Sequence, residues 1–99
     1  TAMGRLWTDQ DYGVTDALYE AEMLATRGGA RSRRDLILRC ALAIQREPGS
    51  VSMHLANLTA ARRDLELTTL GDWPALDHYP AKLKQFLRRK HRRPAAMHP

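Results

Sequence analysis

Apolar residues recur at three- and four-residue spacing along most of the chain, the signature of helices that bury one face. In the first such segment Val14, Leu18, Ala21 and Ala25 keep this rhythm, with Ala17, Met23 and Leu24 beside them. Thr8 is a good N-cap for it, and Asp9 and Asp11 lie in the first turn, where the helix dipole favours acids. Trp7 and Tyr12 are expected over its N-terminal end. Gly28-Gly29 closes it, because glycine tolerates the left-handed C-cap conformation. Ser32 then caps a second helix, with Asp35 three residues on as a capping box asks. Its stripe of Leu36, Ile37, Cys40, Ala41 and Ile44, widened by Leu38 and Leu42, marks a core helix.

Arg46-Glu47-Pro48-Gly49 interrupts the pattern, since proline disfavours helix at the preceding residue and glycine permits a sharp reversal. Ser50 is expected to cap a third helix running to about Glu66. Val51, Leu55, Leu58 and Leu65 share one side of it; Ser52, Met53, Ala56, Asn57, Thr59, Ala60 and Arg63 share the other. Residues 67–78 form a loop in which Trp73, next to Pro74, plugs a small core. Tyr79-Pro80 opens a fourth helix with a narrow apolar edge of Leu83, Phe86 and Leu87. No strand alternation, hairpin signal or internal repeat is present. The expected fold class is therefore all-α: a small bundle of about four helices containing a helix-turn-helix. It forms a single domain over residues 1–99, with 1–7 an N-terminal extension and 88–99 a basic, flexible tail.

Composition narrows the class. A hydrophobic fraction of 43% and a charged fraction of 27% are those of a soluble globular domain. The lone Cys40 excludes an internal disulfide, and its apolar surroundings predict a buried, reduced thiol. No apolar stretch approaches the ~18 residues of a membrane span. Nothing near the N-terminus has signal-peptide character, so the expected location is cytoplasmic, without membrane association.

Charge changes the picture more. The formal net charge is +5 and the pI near 10.0, which suggests an anionic partner. Residues 1–26 carry five acids against one base, residues 27–46 six arginines against one acid, and residues 82–93 seven bases and no acid. The expectation is that the base-rich part faces a polyanion while the acidic first helix faces away.

The stretch from Asp35 to Arg63 carries the functional reading. An apolar helix, a tight turn with glycine and a helix with a small polar face make the layout of a helix-turn-helix, whose second helix enters the major groove. In that reading Ser52, Met53, Ala56, Asn57 and Ala60 face the bases, with Asn57 shaped for a bidentate contact to adenine. Phosphate contacts fall to Arg31, Arg33, Arg34, Arg46, Ser50, His54, Arg62, Arg63, Lys82, Arg88 and Arg89.

The same residues carry a family resemblance. Arg46-Glu47-Pro48-Gly49-Ser50-Val51-Ser52-Met53-His54-Leu55-Ala56-Asn57 resembles a phrase found in the N-terminal domain of bacterial HNH-type restriction endonucleases, including those directed at modified DNA. The likeness runs from about Arg33 to Phe86, with Tyr79-Pro80 matching a later tyrosine-proline element. Glu47 departs from the usual serine or threonine, and His54 from the usual lysine or arginine. More loosely, Leu6-Trp7-Thr8-Asp9-Gln10-Asp11 resembles the tryptophan-led first helix of Myb-like three-helix domains. Both resemblances imply a DNA-targeting module whose nuclease or effector lies elsewhere.

Other chemistry is weak. His54, His78, His91 and His98 are too scattered for a zinc site with one cysteine, so no metal or cofactor is expected. Asp77-His78 suits a polar loop better than acid–base catalysis, and no phosphate-binding glycine loop is present. The expected protein is not an enzyme by itself and takes no small-molecule substrate. Its partner is double-stranded DNA, with a homodimer left open. Two alternatives remain: an RNA-binding or ribosome-associated protein, and an adaptor docking its basic face on an acidic protein.

Overall fold

The computed structural model describes residues 6–26, 32–71 and 73–92. Among the described residues there are four helices, α1 (Asp9–Thr26), α2 (Arg33–Ile44), α3 (Pro48–Asp64) and α4 (Ala81–His91), and no strand. The all-α expectation holds.

The helix starts follow local chemistry. Thr8 Oγ1 accepts from the Asp11 amide at 3.1 Å while the Thr8 amide donates to Asp11 Oδ2 at 3.2 Å, a reciprocal capping pair. Ser32 caps α2 by accepting from the Asp35 amide at 3.2 Å. The Asp35 carboxylate turns instead to Arg39, 2.9 Å away and one turn on. α3 starts earlier than Ser50: Glu47 is the N-cap and Pro48 takes the first helical position, where its fixed φ costs nothing.

The helices form a ring in which α1 and α3 each pack against α2 and α4. Across the diagonal, α1 and α3 meet through a polar ladder. Thr15 Oγ1 lies 2.9 Å from His54 Nε2, Tyr19 Oη 2.9 Å from Thr59 Oγ1, and Asp16 Oδ1 2.5 Å from Arg62 Nη1. Apolar side chains close around it, among them Leu36, Val51, Leu55, Leu58, Leu83 and Leu87.

This core overturns two readings of the hydrophobic pattern. The buried face of α1 is Asp11, Tyr12, Thr15, Asp16, Tyr19, Glu22 and Met23, while Ala21 and Ala25 are exposed. The acids do not face away from the bases; Asp11, Asp16 and Glu22 point inward to Arg46, Arg62 and Arg39. In α2, Leu42 is 81% exposed and Leu38 39%. Polar side chains displace apolar ones from the core because each brings its own counter-charge.

The segment 65–80 folds back along α3. Leu70 is buried and its amide donates to Tyr19 Oη at 2.9 Å. Trp73 packs on the Tyr19 ring as the plug expected of it, and the Leu76 amide reaches the Ala56 carbonyl at 3.4 Å. α4 then runs on through Arg88–His91, where a flexible tail was expected. Lys90 Nζ and His91 Nε2 each sit 2.8 Å from Asp16 Oδ2, and these contacts anchor its last turn.

Candidate nucleic-acid interface

Only part of α3 is open. Val51, His54, Leu55, Ala56 and every residue from Leu58 to Arg62 are buried. The expected base-reading set is thereby divided. Ser52 and Met53 are exposed, Asn57 is half-buried, and Ala56 and Ala60 are 7% and 1% exposed. Ala56 and Ala60 therefore cannot meet base edges. Their small side chains serve close packing inside the protein.

Asn57 carries an anomaly: its Oδ1 is buried and accepts no hydrogen bond from any described residue. An orphaned buried acceptor costs about 1–3 kcal/mol, and alanine is the better helix former. Asn57→Ala is therefore expected to hold or raise the melting temperature, which a thermal melt measures directly. A drop of several degrees would show that the amide is held by a partner in solution.

The expected phosphate set also divides. Arg33 and Arg34 on the first turn of α2, Ser50, Arg63, Lys82, Arg88 and Arg89 are exposed. Arg31 lies outside the described residues. Three others are corrected. Arg62 is 2% exposed, between Asp16 and Glu20, and donates through Nε to the Thr68 carbonyl. Arg46 stacks 4.2 Å from the Trp7 ring centroid and donates to Asp11 and the Leu6 carbonyl. His54 is buried between Trp7 and Tyr12, its ring 4.2 Å and 5.5 Å from theirs. None of the three can reach a phosphate without dismantling the core.

Burial sets the electrostatics of this interior. His54 is pushed down to about 4, first by desolvation and then by the nearby Arg46 charge. The Thr15 hydroxyl lies within hydrogen-bond distance of the Asp11 and Tyr12 carbonyls, at 3.0 and 3.1 Å, as well as of the neutral His54 ring. Desolvation also pushes Asp16 up, but hydrogen bonds from Lys90 and His91 and the charge of Arg62 outweigh it and hold the carboxyl below its ordinary value. Burial raises the Cys40 thiol to about 11, which makes it a poor nucleophile at neutral pH. Asp16, Glu20 and His91 bring ligand atoms within 4.8 Å of one another. Arg62 and Lys90 already supply the positive charge there, so this cluster is a saturated ion-pair network.

Outside, α4 adds Lys84 and Arg92, which the sequence-derived set did not include, to Arg88, which it did. Lys84, Arg88 and Arg92 follow one another at four-residue spacing, and among the described residues none of them holds an ion pair. Arg88 and Arg92 are exposed and Lys84 half-buried. Arg63, in the last turn of α3, is exposed as well and lies only 4.0 Å from Asp64. The flanking bases are tethered at the start of α1 and just ahead of it: Lys82 Nζ lies 3.0 Å from the Trp7 carbonyl, and Arg89 3.1 Å from Asp9.

No family model matches this chain, and no curated protein or solved structure does either. The surface chemistry stands alone as a guide to function. On the other side of α3 an open cleft of about 350 Å³ is lined by Arg33, Ile37, Ser52, Met53, Trp73 and Leu76. It joins the exposed N-terminal part of α3 to the base-rich start of α2. No helix among the described residues is long and apolar enough to cross a membrane.

Proposed function

We propose that this domain binds duplex DNA through its basic surface and carries no catalytic step of its own. The observation that supports this best is the internal use of its acids. Asp11, Asp16 and Glu22 are spent inside, against Arg46, Arg62 and Arg39. The positive charge left over is displayed outside, on Arg34, Lys84, Arg88 and Arg92, where no described acid answers it. Regularly spaced, solvated cations on a rigid helix suit a repeating polyanion, because each phosphate they neutralise releases a condensed counterion. The resemblance at Arg46–Asn57 supports a finer reading, a targeting module of a restriction or defence nuclease. A small DNA-binding regulator fits the same surface.

A salt titration of duplex binding tests the proposal. The triple variant Arg34→Ala/Lys84→Ala/Arg92→Ala is expected to weaken every duplex alike. It should also flatten the slope of log K against log salt by about 2 to 3, near 0.9 per lost phosphate contact. These side chains are outside the core, so the melting temperature should stay within a degree or two. Wild-type binding that does not respond to salt, or a hairpin RNA that outcompetes every duplex, would overturn the proposal.

A further inference from the structure

The geometry points to α4, not α3, as the helix that reads base pairs in the major groove, with Gln85 and Arg88 as its reading side chains. This inference rests on the duplex-binding reading above and gives it a specificity element. On a helical wheel Ala81, Gln85, Arg88 and Arg92 fall within about 60° of one another, and all four are exposed. Leu83 and Leu87 lie opposite them and are buried against the rest of the bundle. The outward face thus runs for three turns, about 16 Å at 1.5 Å per residue. An α-helix with its side chains, about 10–12 Å across, fits the ~12 Å major groove.

Three features favour α4 over α3. First, the open surface of α3 is mainly its first two turns, because the Leu70–Leu76 stretch and α1 cover Ala56, Thr59 and Ala60. Among the described residues nothing covers the outer side of α4, where Ala81, Gln85, Arg88 and Arg92 are exposed. Second, the outward face of α4 begins with a small residue, Ala81, which lets the backbone approach. An amide and a guanidinium follow, the two groups that pair bidentately with adenine and guanine. Third, bases flank this face on both sides, Lys84 on one and Lys82 and Arg89 on the other, as phosphates on the two walls of a groove require. The Arg89–Asp9 pair is exposed at both ends, at 58% and 65%. Such a pair contributes little to stability and can give way to a phosphate. Lys90 and His91, held on Asp16, fix the last turn against the body of the protein.

Selection of sites from a random duplex pool with the full chain tests this inference. The enriched site should hold an adenine and a guanine about one base step apart, since Gln85 and Arg88 are one helical turn apart. Gln85→Ala should lose about 5- to 100-fold of the preference for that adenine, and Arg88→Ala a similar factor for that guanine, with non-specific binding by Gln85→Ala unchanged. Lys84→Ala is the control and should weaken all duplexes equally. Both reading residues are exposed and alanine favours helix, so melting temperatures should not fall. Full selectivity retained by the Gln85→Ala/Arg88→Ala double variant would overturn the inference while leaving duplex binding intact. So would selectivity lost on replacing Ser52 and Met53 instead. A wild-type chain that binds no duplex would overturn both the inference and the duplex reading beneath it.

Discussion

Arg62→Ala is expected to lower the stability of the folded domain by about 3–5 kcal/mol, the loss typical when one partner of a buried ion pair is removed. Arg62 is 2% exposed, and from the last turn of α3 its side chain ties α1 to the returning loop, through Asp16, Glu20 and the Thr68 carbonyl. It also lies over the Tyr19 ring at 5.2 Å. Its removal leaves Asp16, itself fully buried, with only the charge of Lys90 and a hydrogen bond with His91. A domain of this size holds about 5–15 kcal/mol in total, and each kcal/mol moves the melting temperature by roughly 4–8 °C. The melt should therefore fall by tens of degrees, or the variant should fail to fold. Arg62→Met paired with Asp16→Leu separates the two contributions, because a desolvated pair is often no better than apolar groups of like volume. The double variant should recover most of the loss. A single variant that loses less than about 1 kcal/mol would mean that Arg62 reaches water in solution.

Acid should destabilise the domain well above the pH at which carboxylates titrate. His54 is 5% exposed, and its folded value of about 4 lies below the ordinary 6.5. Between these values the unfolded chain binds a proton that the folded chain refuses, so stability rises with pH across the window. The contribution is fully present above about 6.5 and is lost as the pH falls toward 4, a change of about 3 kcal/mol. Asp16 acts in a separate, lower window. Its depressed carboxyl keeps its contribution above the ordinary 3.8 and loses it only below. Denaturant melts at pH 7, 5.5 and 4 should show the His54 slope. His54→Phe, which keeps an aromatic ring between Trp7 and Tyr12, should flatten it. A slope unchanged in His54→Phe would assign the acid sensitivity to another group.

The helices and their limits were largely legible in the residues themselves. Thr8 and Ser32 cap because a short hydroxyl side chain reaches a free amide. The break around Pro48 followed from the missing amide hydrogen and fixed φ of proline, although α3 begins at Pro48 itself and not after a Ser50 cap. The burial of Cys40 and the plugging role of Trp73 followed from apolar neighbours and loop position. Each of these is a local matter, decided within a few residues along the chain.

Which polar residues lie inside was decided only by the tertiary structure. Asp16, Glu22 and Arg62 have the residue types of a solvated surface, and their burial depends on partners 17 to 46 positions away. Spacing along a single helix carries no record of those partners. That is why α1 was expected to bury Ala21 and Ala25, and why Arg46, His54 and Arg62 were expected to face phosphate. The exposed set had the same origin. The basic run after Leu87 was legible as charge, but its order depended on Asp16, whose carboxylate holds Lys90 and His91 and keeps α4 helical to its end. Sequence by itself determined the number, type and approximate limits of the helices, because capping and periodicity act at short range. Folding alone decided which charges neutralise one another and which remain for a partner, because a charge can be buried only where another chain segment brings its counter-charge.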